Sequence, residues 1–127
     1  MRTLTVLSAA VALAAGAHAQ DAAAGDPAKG ERVFKQCVAC HTFDPNARRQ
    51  GPHLLNLWGR SAGSAEGVRY SPAMAASGII WDDETLGPYL LDPRGTVPGT
   101  SMMIGLRNEG DLADLLAYMR RESSGAE

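Results

Sequence analysis

The chain has 127 residues, 20% of them charged, and a formal net charge of −2. This length fits one domain, and the slightly acidic balance gives no reason to expect nucleic acid as a partner. A domain this short has a limited core, to which a buried prosthetic group would add.

The first nineteen residues have the three-part pattern of an exported signal peptide. Arg2 gives a positive start, residues 4–15 form an apolar run, and Ala17-His18-Ala19 places small residues on both sides of a bulky one. A membrane anchor is the alternative, but the apolar run is short for a bilayer span. We therefore expect cleavage after Ala19 and no membrane span in the mature chain. Cleavage removes only Arg2 among the charged residues, so 11 basic and 14 acidic residues remain.

The first predicted helix begins just after the alanine-rich residues 20–25, which are expected to be disordered. Asp26 is placed as its N-cap and Pro27 at its first position. The helix is predicted to run to about Cys37, with inward positions Gly30, Val33, Phe34 and Cys37. From residue 42 to residue 78 the chain is rich in Gly, Pro, Ser and Asn and shows no period, which predicts loop. A loop of that length indicates that something other than secondary structure organises it.

Two more helices are predicted, and no strand. Residues 82–85 open the first of them, where Pro88 requires either a late start near Thr85 or a kink. The last helix opens at Asn108 or Gly110. Its apolar face is Leu112, Leu115, Leu116 and Met119, and Arg120 and Arg121 suit its C-terminal end. The domain is expected to span residues 26–122, followed by a disordered tail over residues 123–127.

The segment Cys37-Val38-Ala39-Cys40-His41 has the C-x-x-C-H pattern of covalent haem attachment. Residues three and four apart share a face of a helical turn, so both thiols and the imidazole can address one porphyrin. Three alternatives compete with haem. A thioredoxin-like site would follow a strand, and no strand is predicted before Cys37. Structural zinc needs four ligands, and the third alternative is a plain disulfide. The pattern and the export signal together favour one haem c per chain, with His41 as an iron ligand.

The second axial ligand has five candidates in the mature chain: His53, Met74, Met102, Met103 and Met119. Met119 and Met74 are more simply explained as core residues than as ligands. His53 is so close in sequence to His41 that the short link would struggle to reach the opposite face of the ring. Met102 follows the turn-rich segment Pro98-Gly99-Thr100-Ser101 and is far enough along the chain to reach the opposite face of a haem. Met103 is adjacent and remains an alternative, although neighbouring side chains in an extended loop point apart.

From about Gly30 to Arg120 the chain resembles the class I c-type cytochromes, the family of mitochondrial cytochrome c and its soluble bacterial relatives. Gly30 and Phe34 match its first helix, and Leu115 and Tyr118 match its last helix. Gly51-Pro52 with residues 57–60 resembles the family's GPxLxGLxGR segment, and residues 98–102 resemble its ligand loop. The resemblance implies an all-α fold in which the first and last helices cross and loops wrap around one haem.

The resemblance also implies individual roles. Pro52 would support the histidine ligand through its carbonyl, and Arg60 would lie near a haem propionate. Tyr70 and Trp81 would contact the propionates. Tyr89 would bring its hydroxyl near the methionine sulfur, and Met102 would be the sixth ligand. The chain departs from the family pattern at five places: His53, Asn56, Trp58, Gly87-Pro88 and Ser101.

These features predict a soluble periplasmic protein that shuttles one electron at a time, because two protein ligands leave iron no open position for a substrate. The expected partners are redox proteins, with a dehydrogenase or membrane complex as donor and an oxidase or reductase as acceptor. We expect a monomer and no enzymatic activity. The alternatives are a haem enzyme or gas-binding cytochrome with a labile sixth ligand, and a bound electron-acceptor subunit of a dehydrogenase.

Overall fold

The computed structural model describes residues 24–125 and places five α-helices and one 3-10 turn along them. The predicted signal peptide and residues 20–23 lie outside this range. Residues 24–125 contain no β-strand, only an isolated antiparallel bridge between Ser61 and Ile80. The predicted all-α class is therefore confirmed. The helices are α1 (Pro27–Phe34), α2 (Pro72–Ala75), α3 (Asp83–Leu91), α4 (Pro93–Thr96) and α5 (Leu112–Ser123), and the turn is Glu109–Asp111.

Helix α1 begins where the sequence predicts but ends earlier. The Asp26 carboxylate accepts the backbone N–H of Ala28 at 2.8 Å, and Pro27 occupies the first helical position. The predicted end near Cys37 is wrong by three residues. The N–H of Cys37 bonds to the carbonyl of Phe34, three residues back rather than four, so the chain tightens into turns over residues 35–40. The C-x-x-C-H segment therefore lies on turns that follow the helix.

The first helix packs against the last through Gly30. A Cβ at this position would lie 2.0 Å from the carbonyl oxygen of Asp114, so only glycine allows the two backbones to approach this closely. The ring of Phe34 lies 5.3 Å from that of Tyr118. The predicted packing of the first helix on the last is thus confirmed. Gly25, predicted to be disordered, also lies against α5, since a Cβ there would meet the Ala113 carbonyl.

Helix α3 starts at Asp83, earlier than Thr85, and continues through Pro88. Asp82 and Thr85 form a reciprocal capping box, in which the Asp82 carboxylate accepts the Thr85 N–H at 2.8 Å. Gly87 explains how the helix passes the proline. A residue before proline is disfavoured in the helical conformation mainly because its Cβ and N–H meet the proline ring, and glycine has no Cβ.

Helix α5 extends one residue past the predicted end of the domain. Asn108 caps the 3-10 turn that leads into it, accepting the Gly110 N–H at 3.0 Å, so the predicted start is close. At the other end Ser123 is helical and only 2% exposed. Its hydroxyl accepts the N–H of Leu57 at 2.8 Å, which ties it to the folded domain rather than to a disordered tail.

The hydrophobic core lies where the helices meet the long loop. Helices α1, α2, α3 and α5 and the long loop each supply part of the core. No helix within residues 24–125 has the length and hydropathy of a membrane span. The core surrounds a cavity, and the long irregular segment supplies much of its wall. The buried residues are Phe34, Leu54, Leu57, Met74, Trp81, Leu86, Tyr89, Leu90, Val97, Leu115 and Met119.

Candidate functional site

A cavity of about 530 Å³ opens between the helices and the loops, a size typical of cofactor sites. Most of its lining is apolar. The fold brings together all the site residues predicted from the sequence, although they are spread over 66 positions of the chain. The cavity is lined by Cys37, Cys40, His41, Pro52, Arg60, Tyr70, Trp81, Tyr89 and Met102.

His41 is held as a neutral imidazole with one nitrogen free. Its Nδ1 lies 2.9 Å from the carbonyl oxygen of Pro52. Since a carbonyl only accepts, Nδ1 carries a proton, and in the neutral ring Nε2 then keeps its lone pair. Burial is the main reason that the pKa of His41 is lowered, and the charge of Arg60 adds to it, while the Pro52 bond opposes both. Gly51 lets the chain pass beside the ring, because a Cβ there would lie 2.6 Å from Cε1.

The two cysteines lie on the turn before His41 and are not joined in a disulfide. The N–H groups of Cys40 and His41 both bond to the carbonyl of Cys37, at 3.0 and 2.9 Å, which places the three side chains on one turn. Burial, and secondarily the charge of Cys40, raises the pKa of Cys37 to about 11. At neutral pH the Cys37 thiol is therefore protonated in the folded chain.

The geometry does not support the competing interpretations of the two cysteines. Among residues 24–125, no three His, Cys, Asp or Glu side chains are grouped so that they could hold a metal ion, which argues against zinc. A helix rather than a strand precedes Cys37, which argues against a thioredoxin-like site.

The candidates for the second axial ligand differ in how exposed they are and in whether they line the cavity. Met102 is half-buried, packs against the core and lines the cavity. Met103 is 63% exposed at the mouth of the cavity. His53 does not line the cavity, and its ring faces Arg60 in a separate surface groove. Met74 and Met119 are buried in helices and also line the cavity. Both therefore place a thioether beside it.

Thr100 connects Tyr89 to the loop that carries Met102. The Tyr89 hydroxyl lies 2.9 Å from Thr100 Oγ1, and the same oxygen accepts the N–H of Met102 at 3.3 Å. The sequence predicts that the Tyr89 hydroxyl approaches the Met102 sulfur, whereas its hydrogen bond here is to Thr100. Thr100 is a site residue that the sequence reasoning missed. A hydroxyl two residues before the ligand, in a turn-rich segment, was the available signal.

Removing the Tyr89 hydroxyl tests this link. Tyr89→Phe is expected to cost about 1 kcal/mol of unfolding free energy, because the buried Thr100 hydroxyl loses its partner. It should shift the reduction potential while the iron stays low-spin. Burial raises the pKa of Tyr89 above its ordinary value of about 10. The stability from the neutral hydroxyl is therefore complete below pH 10 and is lost as the pH rises through the folded pKa.

Chemical denaturation and potentiometry on both sides of pH 10 would measure these effects. Tyr118→Phe is the matched control for the reduction potential, since Tyr118 does not line the cavity. A Tyr89→Phe protein with unchanged potential and an unchanged alkaline stability profile would contradict a role for this hydroxyl.

Arg60 is a charged residue of the cavity lining. Its guanidinium donates to the carbonyl oxygens of His53 at 2.8 Å and Leu55 at 3.1 Å. The Tyr70 hydroxyl accepts the N–H of Ala65 at 3.2 Å, and the Trp81 ring lies 5.1 Å from that of Tyr89. Arg69, which the sequence reasoning did not single out, also lines this cavity. A fixed cation with Trp and Tyr suits a ligand that carries carboxylates.

The donor set fits a covalently attached haem. The largely apolar cavity suits a porphyrin, the two thiols suit thioether attachment, and the neutral imidazole suits iron ligation. A thioether in the loop at residues 98–102 completes the set. The fold and this site together define a c-type haem protein.

Comparisons with known proteins agree with this class. The family model described as Cytochrome c matches residues 27–122. Cytochrome c2 from Rhodomicrobium vannielii is 46% identical over 118 residues, with 91% of each chain covered. Cytochrome c2 from Blastochloris viridis is 45% identical over 120 residues, covering 93% of this chain and 88% of the relative. Cytochrome cH from Methylobacterium extorquens superposes with a TM-score of 0.69 at 40% identity, covering 76% of this chain and 98% of the other.

The chain belongs to the cytochrome c family. It binds one haem c covalently and carries single electrons. The expectations for family, fold class and cofactor are thereby confirmed.

Proposed function

We propose that this chain is a monomeric periplasmic carrier and not an enzyme. It takes one electron at a time from a dehydrogenase or membrane complex and delivers it to an oxidase or reductase. The observation that carries the proposal is the convergence of all nine predicted site residues on one cavity. The export pattern over residues 1–19 supports the periplasm. Fractionation by osmotic shock, with N-terminal sequencing, tests the location, and a cytoplasmic protein that still begins at Met1 would contradict it.

Each residue of the site has a distinct part in electron transfer. Haem supplies a one-electron iron couple when bound. Cys37 and Cys40 tether it, His41 and Met102 are the iron ligands, and the Pro52 carbonyl fixes the orientation of the imidazole. Tyr89 and Thr100 hold the Met102 loop in place. Buried apolar side chains exclude water, and Arg60 offsets the negative charge of the haem carboxylates.

Electron exchange is proposed to occur at the mouth of the cavity, which is apolar. Met103 and Ile104 are 63% and 59% exposed there and line the cavity. The two lysines, Lys29 and Lys35, both lie on or next to α1. The mature chain is net acidic by residue count, so long-range attraction to an acidic partner is weak.

Partner docking should therefore depend little on salt and strongly on the apolar rim. Oxidation of the reduced protein by membrane vesicles from the source cell should change by less than about threefold between low and physiological ionic strength, where the Debye length shortens to about 8 Å. Ile104→Ser should slow it at every salt concentration, since it removes apolar contact area. Ile80→Ser is the matched control, because Ile80 is equally apolar and 48% exposed but does not line the cavity.

Stopped-flow rates decide between the two docking modes. A steep fall with salt would contradict the apolar mode and would mean that a local basic patch steers docking. The residues to test in that case are Arg48, Arg49 and Arg94.

A further inference from the structure

The last turn of α5 lies outside the cavity and is hydrogen-bonded to the loop that precedes Arg60. The N–H of Asn56 donates to the carbonyl of Ser123 at 2.7 Å, and the next N–H, of Leu57, donates to the Ser123 hydroxyl at 2.8 Å. Asn56 has a φ of 53°, a left-handed conformation that few residues other than glycine adopt. One buried serine thus satisfies two successive N–H groups of a bent segment.

A second contact from the same face of α5 holds the next residue, Trp58. The indole N–H of Trp58 donates to the Asp83 carboxylate at 3.0 Å. The Arg120 guanidinium lies 4.7 Å from the centroid of the indole and pairs with the same carboxylate. Arg120 and Ser123 are three residues apart, so they project from one side of the helix. Trp58 is a departure from the family pattern, and the structure places it at this junction.

The segment held by these contacts, residues 56–58, leads to two residues of the cavity wall, Arg60 and Trp81. The N–H of Gly59 donates to the carbonyl of Trp81 at 2.7 Å, and the N–H of Trp81 donates to the carbonyl of Arg60 at 3.0 Å. Arg60 and Trp81 are therefore carried on one short ribbon and both line the cavity. Ser123, Trp58 and Arg120 are not among the lining residues, and this ribbon connects the segment they hold to Arg60.

We propose that Ser123, with Arg120 and Trp58, is a positioning residue that fixes the Arg60 guanidinium against the haem and so sets the reduction potential. This rests on the proposed function, in which Arg60 faces the haem carboxylates. Reduction adds an electron, so a fixed positive charge nearby stabilises the reduced state. The carbonyls of His53 and Leu55 hold the guanidinium, and Leu55 directly precedes the segment bound by Ser123. A looser segment therefore lets the guanidinium move toward water, where its charge is screened, and the potential falls.

Ser123→Ala in the haem-loaded protein tests the proposal, because it removes the hydroxyl that accepts the Leu57 N–H and keeps a good helix former. The redox equilibrium with a mediator dye should move about threefold toward the oxidised protein, the effect expected of a partly exposed charge. Amide exchange at Gly59 and Trp81 should become faster. Ser124→Ala is the matched control, since the Ser124 hydroxyl donates only within α5 and lies at the surface. It should change neither quantity.

A double variant separates positioning from general stability. In an Arg60→Gln background, Ser123→Ala should no longer shift the equilibrium, because the charge through which it acts is gone. Trp58→Phe, which keeps an aromatic ring and loses the N–H, should produce the same shift with less disturbance, and it serves if Ser123→Ala fails to fold. If Arg60→Gln alone leaves the potential unchanged, the proposed role of Arg60 is wrong. If Arg60→Gln lowers the potential but Ser123→Ala and Trp58→Phe do not, or if their shift persists without Arg60, the positioning proposal is overturned.

Discussion

Replacement of Met102 by alanine is expected to convert the iron from low-spin to high-spin and to let carbon monoxide bind the reduced protein. The change removes the soft thioether that we assign as the sixth ligand, and it opens one coordination position. The reduction potential should fall by on the order of 0.2 V, a fraction of the roughly 0.8 V range over which axial ligands set haem potentials. Absorption spectra in both oxidation states, with and without carbon monoxide, measure the first two effects, and a potentiometric titration measures the third.

Met103→Ala is the matched control, since Met103 is the adjacent methionine and its side chain is exposed. It should leave the spectrum low-spin and the potential nearly unchanged. The reverse result, with Met103 essential and Met102 dispensable, would mean that the register of the ligand loop is wrong. A Met102→Ala protein that stays low-spin would instead point to Met74 or Met119, which also line the cavity.

Joint replacement of Cys37 and Cys40 by alanine is expected to abolish covalent haem attachment. In the wild-type protein the haem should remain with the protein through acidified-acetone extraction, and the intact mass should include it. In the double variant the haem should leave with the solvent. Without the haem, the largely apolar lining of the cavity would face water, so the variant should be less stable than the wild type once the haem is lost.

Val38→Ala is the control for this experiment, because Val38 lies between the cysteines and is exposed. Its intact mass should include the haem, and its extraction behaviour should match the wild type. A wild-type mass equal to that of the bare chain would contradict covalent attachment. Haem that resists extraction in the double variant would show that these thiols do not form the link.

Local patterns predicted the parts of the fold that depend on neighbouring residues. Asp26-Pro27 located the start of α1 because an N-cap and a first-turn proline act within a few residues. The C-x-x-C-H pattern predicted the attachment segment for the same reason, since its geometry fits within one turn. Arg60, Tyr70 and Trp81 were found through the family resemblance, because no local pattern relates such distant positions.

Contacts between distant segments that the family resemblance does not specify could not be predicted from the sequence. The end of α1 at Phe34 depends on how the following turn tightens, which no capping residue signals. Ser123 looks like part of a polar tail until its hydroxyl is seen to accept the Leu57 N–H, 66 residues away in the chain. The hydroxyl partner of Tyr89 is Thr100 for a similar reason, because the bond depends on how α3 and the ligand loop come together.

A spectroelectrochemical titration of the wild-type protein tests the central claim, a closed His41–Met102 iron site that carries one electron. We predict a single reversible one-electron transition, with iron low-spin at both ends. The oxidised form should show the weak far-red absorption band that marks methionine bound to iron, and carbon monoxide should not bind the reduced form. High-spin iron, or ready binding of carbon monoxide by the reduced wild-type protein, would contradict the closed site and favour a haem enzyme or gas-binding cytochrome with a labile sixth ligand.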